Sequence, residues 1–159
     1  MKQTLFLDLG EFAAAHRQWK HTGKCFKVHG HNWRVEVEVE AEKVDDQGFI
    51  IDVGELKETL RPLVVDLLDH TLLICEDDPE KHWFLCMEER GIVNLKVLPE
   101  VSMEFLAKHL LTKFNDRLHW GDLAKRKVRV TKVRVWEDGR SYVEASIGQQ
   151  KKLKKEVKS

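Results

Sequence analysis

Cysteine is scarce in this chain. The three present (Cys25, Cys75 and Cys86) are an odd number without framework spacing, which excludes a disulfide scaffold and fits a reducing cytosol. No apolar run approaches the ~20 residues that a membrane-spanning helix needs, and Met1-Lys2-Gln3 begins no signal peptide. Neither sign of charge is in excess, because Lys plus Arg and Asp plus Glu each number 27. A net charge of zero gives no long-range field favouring nucleic acid or a membrane surface. Internal repeats and linker-like stretches are also missing. What remains is one domain over residues 1–148, long enough to bury a proper core, and expected in the cytoplasm. A basic tail over 149–159 (Lys151, Lys152, Lys154, Lys155) reads as a solvated end.

Periodicity supplies the elements. Leu5, Leu7 and Leu9 alternate in a first strand over 4–11. From Trp33 to Ala41 the odd positions are apolar and Arg34, Glu36, Glu38 and Glu40 are charged. That pattern is a strand of an antiparallel sheet covered on one side. Asp45-Asp46-Gln47-Gly48 is a turn, after which Phe49–Asp52 is expected to continue a hairpin. Asp52 can cap a helix to Leu68 with a Leu56, Leu60, Leu63, Val64, Leu67 stripe, kinked at Pro62. Ser102 can cap a second helix to Asn115, with Phe105, Leu106, His109, Leu110 and Phe114 on one side. Two last strands follow near 127–137 and 141–147, joined by Asp138-Gly139-Arg140. The segment 75–98 shows little periodicity. The expected fold is α+β: a four-stranded antiparallel sheet with two helices on one face. Its half-polar outer face favours an oligomer that joins sheets into a barrel.

The chemistry gathers near the start. His16, His29 and His31 form a ligand set suited to Zn²⁺, and three imidazoles leave a fourth position open, as in catalytic sites. In a strand, positions i and i+2 share a face. His29 and His31 can therefore meet one ion, with His16 arriving from a neighbouring strand. Cys25 lies between them, flanked by Lys24 and Lys27; both charges favour the thiolate, the form that acts as base or nucleophile. Cys25 as a fourth ligand, closing the site, is the other reading. Asp69-His70 ends the first helix, either as a helix-ending pair beside the negative dipole end or as a proton-moving histidine held in one tautomer. Glu137 falls at an inward position (Val133, Val135, Glu137), where a carboxylate needs a partner or ligand. Glu104 alone is an ordinary first-turn acid.

These motifs, in this order, resemble the 6-pyruvoyl-tetrahydropterin synthase and 6-carboxy-tetrahydropterin synthase family. The residues that carry the likeness are Phe12-Ala13-Ala14-Ala15-His16, Cys25-x-x-x-His29-Gly30-His31-Asn32-Trp33, residues 48–57, Leu68-Asp69-His70, residues 102–107 and Val135-Trp136-Glu137. The resemblance implies the tunnelling fold, with trimers forming a barrel, often paired into hexamers, and active sites between subunits. It implies zinc on His16, His29 and His31, with Cys25 as general base and Asp69, His70 and Glu137 as proton relay. Glu104 would anchor the pterin, with Ser102 and Met103 beside it. The close spacing of Cys25 and His29 resembles the bacterial 6-carboxy-tetrahydropterin synthases of the queuosine pathway. Those convert 7,8-dihydroneopterin triphosphate to 6-carboxy-5,6,7,8-tetrahydropterin, acetaldehyde and triphosphate. The chain departs from the family pattern at Trp33, Val101 and Met103, and in a longer stretch between His70 and Ser102.

Overall fold

In the computed structural model residues 3–148 are described, so the basic tail expected over 149–159 lies outside the described residues. The sheet grows outward from two long strands, β1 (Thr4–His16) and β2 (His29–Glu40), which pair antiparallel from Thr4↔Glu40 to His16↔His29. The alternation of β2 does what its pattern dictates: Trp33, Val35, Val37 and Val39 are all buried.

β1 runs past its expected end at residue 11 because it contains a bulge. The register shifts between Asp8 and Glu11. Gly10 takes φ 103°, with its N–H donated to Asp8 Oδ1 at 2.9 Å. Glycine enters this region without the Cβ penalty other residues meet. One extra residue reverses the inward parity of a strand. Leu5, Leu7 and Leu9 pack on the core before the bulge; Phe12, Ala14 and His16 are buried after it. An unbulged β1 would turn Ala13 and Ala15 inward and His16 outward.

β5 (Arg129–Trp136) and β6 (Tyr142–Ser146) continue the sheet antiparallel beyond β2. On the other side β3 (Thr71–Cys75) and β4 (Leu95–Leu98) add in parallel, giving the order β4-β3-β1-β2-β5-β6. The expected four antiparallel strands are therefore corrected to a six-stranded mixed sheet. Thr71 to Ile74 are all buried, as in a strand covered on both faces, and such a strand carries no alternation to read. Phe49–Asp52 is not a strand either. Arg126 donates to the carbonyls of Phe49 and Ile50, and Asp45 Oδ1 accepts the Phe49 N–H, so an irregular connection satisfies this backbone.

Among the described residues four helices accompany this sheet rather than two. α1 (Val53–Leu68) begins where Asp52 Oδ1 accepts the Glu55 N–H at 3.0 Å, and it runs through Pro62 without a break. α2 (Lys81–Glu89) arises within the unreadable segment, and a short α4 (Gly121–Lys125) follows α3 (Met103–Leu118). Ser102 caps α3, its Oγ accepting the Phe105 N–H at 3.2 Å. α1 and α3 bury Leu56, Leu60, Val64, Leu106, Leu110 and Phe114 against the β1–β2–β5 face. Each such side chain contributes about 1.5–3 kcal/mol of hydrophobic stabilisation. α2 lies on the opposite face, where Phe84 joins Leu72, Ile74, Leu95 and Ala15 in a second, smaller cluster. The charged face of the sheet carries ion pairs: Arg34 with Asp8 across the strands and with Glu36 along β2, and Arg134 with Glu38 and Glu144 across the strands.

Candidate metal centre

One end of the sheet collects the titratable groups. His16 closes β1 directly opposite His29, the first residue of β2, while His31 stands opposite Ala14. The bulge at Gly10 makes His16 inward, and strand alternation places His31 beside His29. Their ligand nitrogens all lie within 4.8 Å of one another, and His16 Nε2 is 3.0 Å from His29 Nε2. Trp33 is the floor of the site: its indole N–H donates to the Ala14 carbonyl at 3.2 Å, and its rings meet His16 and His31 edge-on at 5.0 and 5.4 Å.

Two tautomers are set by the backbone. A carbonyl can only accept, so His16 Nδ1–H donates to Val101 O (3.0 Å) and His29 Nδ1–H donates to Lys27 O (2.7 Å). Both Nε2 atoms are then lone pairs, and they face each other without a proton between them. His31 Nε2 is buried without a hydrogen-bond partner among the described residues. Glu137, just past β5, brings Oε1 within 3.3 Å of both His16 Nε2 and His31 Nε2. That approach is in ion-pair range without hydrogen-bond geometry. Converging lone pairs of this kind repel unless a cation sits among them. A tetrahedral zinc site, with bonds of ~2.0–2.1 Å, spaces its ligands about 3.3 Å apart, so the donor set fits that ion. Burial pushes His16 down to about 4; the Val101 carbonyl opposes this, and His29 and His31 add to it. A ligand that resists protonation competes well for metal, since binding needs the neutral imidazole.

The other expected residues fall into two groups. Cys25 is half-buried on a 3₁₀ turn (Lys24–Phe26) in the loop joining β1 to β2, and its carbonyl accepts the Gln18 N–H at 3.0 Å. Ser102, Met103 and Glu104 open α3, directly after the Val101 carbonyl that holds His16; Ser102 is engaged as the cap, Met103 packs on the core and Glu104 is exposed. The Asp69–His70 pair stands apart. His70 Nδ1 is 3.0 Å from Asp69 Oδ1, and the His70 side chain is 85% exposed. Among the described residues no hydrogen bond or ion pair joins it to the triad or to Glu137. His70 also holds φ 56°, an uncommon conformation for a side-chain-bearing residue, with its N–H donated to Ala13 O at 2.8 Å. Val101 acts through its backbone, so no residue-type signal could have marked it.

Comparison with known proteins settles the family. The sequence pattern described as 6-pyruvoyl tetrahydropterin synthase matches residues 9–147. This chain belongs to that family. Among its relatives is a protein of Pyrococcus horikoshii named putative 6-carboxy-5,6,7,8-tetrahydropterin synthase, 32% identical over 146 residues, which cover 86% of this chain and 85% of that one. A Rickettsia conorii protein named 6-carboxy-5,6,7,8-tetrahydropterin synthase is 29% identical over 136 residues, covering 84% of this chain and 94% of the other. In three dimensions the fold is shared with an uncharacterized protein of Wolinella succinogenes (TM-score 0.77, 19% identity, 92% of this chain and 99% of that one). It is shared too with the Plasmodium vivax 6-pyruvoyltetrahydropterin synthase (TM-score 0.67, 19% identity, again 92% and 99%).

Proposed function

We propose that this chain is a zinc-dependent lyase. It converts 7,8-dihydroneopterin triphosphate to 6-carboxy-5,6,7,8-tetrahydropterin, with release of acetaldehyde and triphosphate. The observation that carries this reading is the convergence of the His16, His29 and His31 nitrogens, two of them in tautomers fixed by backbone carbonyls. The names of the Pyrococcus and Rickettsia relatives support the choice of product.

His16, His29 and His31 hold the ion, which when bound supplies a Lewis acid for the hydroxyls of the substrate side chain. Cys25, on the loop joining the two ligand-bearing strands, is the base that removes a proton from the substrate carbon skeleton. His70 is fixed by its bond to Asp69: with Nδ1–H given to the carboxylate, Nε2 is the atom free to take or return a proton. Glu137, 3.3 Å from two ligand nitrogens, serves with Asp69 and His70 in the proton relay as the acceptor beside the ion. Glu104, exposed in the first turn of α3, accepts two parallel hydrogen bonds from the guanidine-like edge of the pterin.

Because His70 is exposed and apart from the triad, the working site is assembled between copies of the chain, in a trimer or hexamer. The test is incubation of the zinc-loaded protein with dihydroneopterin triphosphate. Acetaldehyde and triphosphate released together are the expected products. Triphosphate alone would make the protein a 6-pyruvoyl-tetrahydropterin synthase, and binding without either product would make it a pterin-binding relative.

A further inference from the structure

The segment that carries no readable periodicity has a defined contact with the candidate site. Arg17 directly follows the ligand His16, and it is buried. Its backbone N–H donates to Leu73 O on β3 at 3.2 Å. Its side chain makes two directed bonds. Nε donates to the Phe26 carbonyl at 3.1 Å, and Nη1 donates to Asp78 Oδ1 at 3.1 Å. The guanidinium also lies 4.8 Å from the Phe26 ring centre and 5.9 Å from that of Phe84 in α2.

Asp78 is rooted just as firmly. Its side chain is fully buried, and its Oδ1 also accepts the Glu80 N–H at 2.8 Å. Its own N–H donates to Cys75 O, and its carbonyl accepts the Lys81 N–H, both at 3.1 Å. Asp78 Oδ2 is buried without a hydrogen-bond partner among the described residues. A buried ion pair is costly to form unless its geometry is good, and removing one partner strands the other charge. Here the pair joins three parts of the chain: the end of the metal strand, the cysteine turn and the entry to α2.

What the brace holds is the peptide next to Cys25. The Cys25 carbonyl is taken by the Gln18 N–H and the Phe26 carbonyl by Arg17 Nε. One residue further, the Lys27 carbonyl fixes the His29 tautomer. Arg17 therefore sits between a ligand strand and the turn that presents the thiol. A planar guanidinium reaches the two acceptors from separate, fixed nitrogens, whereas an ammonium gathers all its donors on one rotating atom.

We propose that Arg17 and Asp78 are positioning residues for the lyase reaction, a buried brace by which the 75–98 segment sets the Cys25 turn against the histidine triad. This rests on Cys25 being the base. In R17K the charge remains but the fork is lost. Turnover should fall on the order of tenfold or more with KM nearly unchanged, because a small misplacement of a reacting group acts on the chemical step. Alkylation of Cys25 by iodoacetamide, followed peptide by peptide at a fixed pH, should rise about fivefold as the turn loosens. Cys86, exposed on α2, serves as the internal reference. Zinc content should stay near that of the parent. D78N keeps the shape, should move both readouts in the same direction by less, and carries the test if R17K does not fold. The alkylation arm needs no substrate, so it stands even if the protein proves not to be a lyase. Folded R17K or D78N protein with turnover and Cys25 alkylation both within twofold of the parent would overturn the brace.

Discussion

His16 is fully buried at the end of β1, with its Nδ1–H donated to the Val101 carbonyl; the side chain of His70, on the turn after α1, is 85% exposed and among the described residues has its chain neighbour Asp69 as its one side-chain partner. The first is held by sheet register, a bulge and a backbone carbonyl. The second is held by one carboxylate and an uncommon backbone conformation. The triad is therefore set by the chain itself, whereas the pair proposed to move protons is held at one point. The contrast fits the division of labour proposed for the two. Metal ligands gain from rigidity and exclusion of protons, and a relay must reach substrate and solvent.

Removing a ligand should break the rigid half outright. His16→Ala should lower metal affinity more than ~100-fold, beyond the 10–100-fold typical of losing a partner behind the ligands, and abolish turnover. Metal analysis after dialysis checks it; a full complement of metal would dismantle the triad. Asp69→Asn should lower turnover about 100-fold by releasing the His70 tautomer. It should leave the melting temperature almost unchanged, because an exposed pair is worth under ~1 kcal/mol. A large drop in melting temperature would mean that the pair is structural.

Gly10 tests how the register feeds the triad. Nothing lies within 4 Å of a Cβ placed there, so Gly10→Ala meets only the strain of φ 103°. It should destabilise the protein by about 1–3 kcal/mol and weaken metal binding through His16, while His70 stays as it was. Equilibrium unfolding and metal titration of the same variant would separate those effects.

The remaining effect is with pH. The folded His16 is lowered from 6.5 to about 4, so between those values the unfolded chain binds the proton that the folded one refuses. Stability of the metal-free protein should thus fall as pH drops through that window and be free of this penalty above it. Urea midpoints at about pH 5 and pH 7, compared with those of His16→Asn, isolate the contribution.

Legibility followed the same contrast between local pattern and long-range placement. Trp33, Val35, Val37 and Val39 alternate, and Asp52 and Ser102 are capping residues at the heads of apolar stripes, so β2, α1 and α3 could be read directly. β3 could not, because Thr71 to Ile74 are buried on both faces. With β3 unread, β4 and α2 lost their context. The three histidines were visible as a set from spacing. Their orientation was not, since it depends on the carbonyls of Lys27 and Val101, the latter 85 residues from His16 along the chain. Arg17 and Asp78 are ordinary charged residues until burial brings them together.

His16, His29 and His31 are expected to form an open metal site with Cys25 outside it. X-ray absorption at the zinc edge of the metal-loaded protein tests this most directly. Nitrogen and oxygen neighbours at ~2.0–2.1 Å, no sulfur shell, and the same spectrum in Cys25→Ala are expected. A Zn–S distance of ~2.3 Å that disappears in Cys25→Ala would make the cysteine a fourth ligand and the site a closed one.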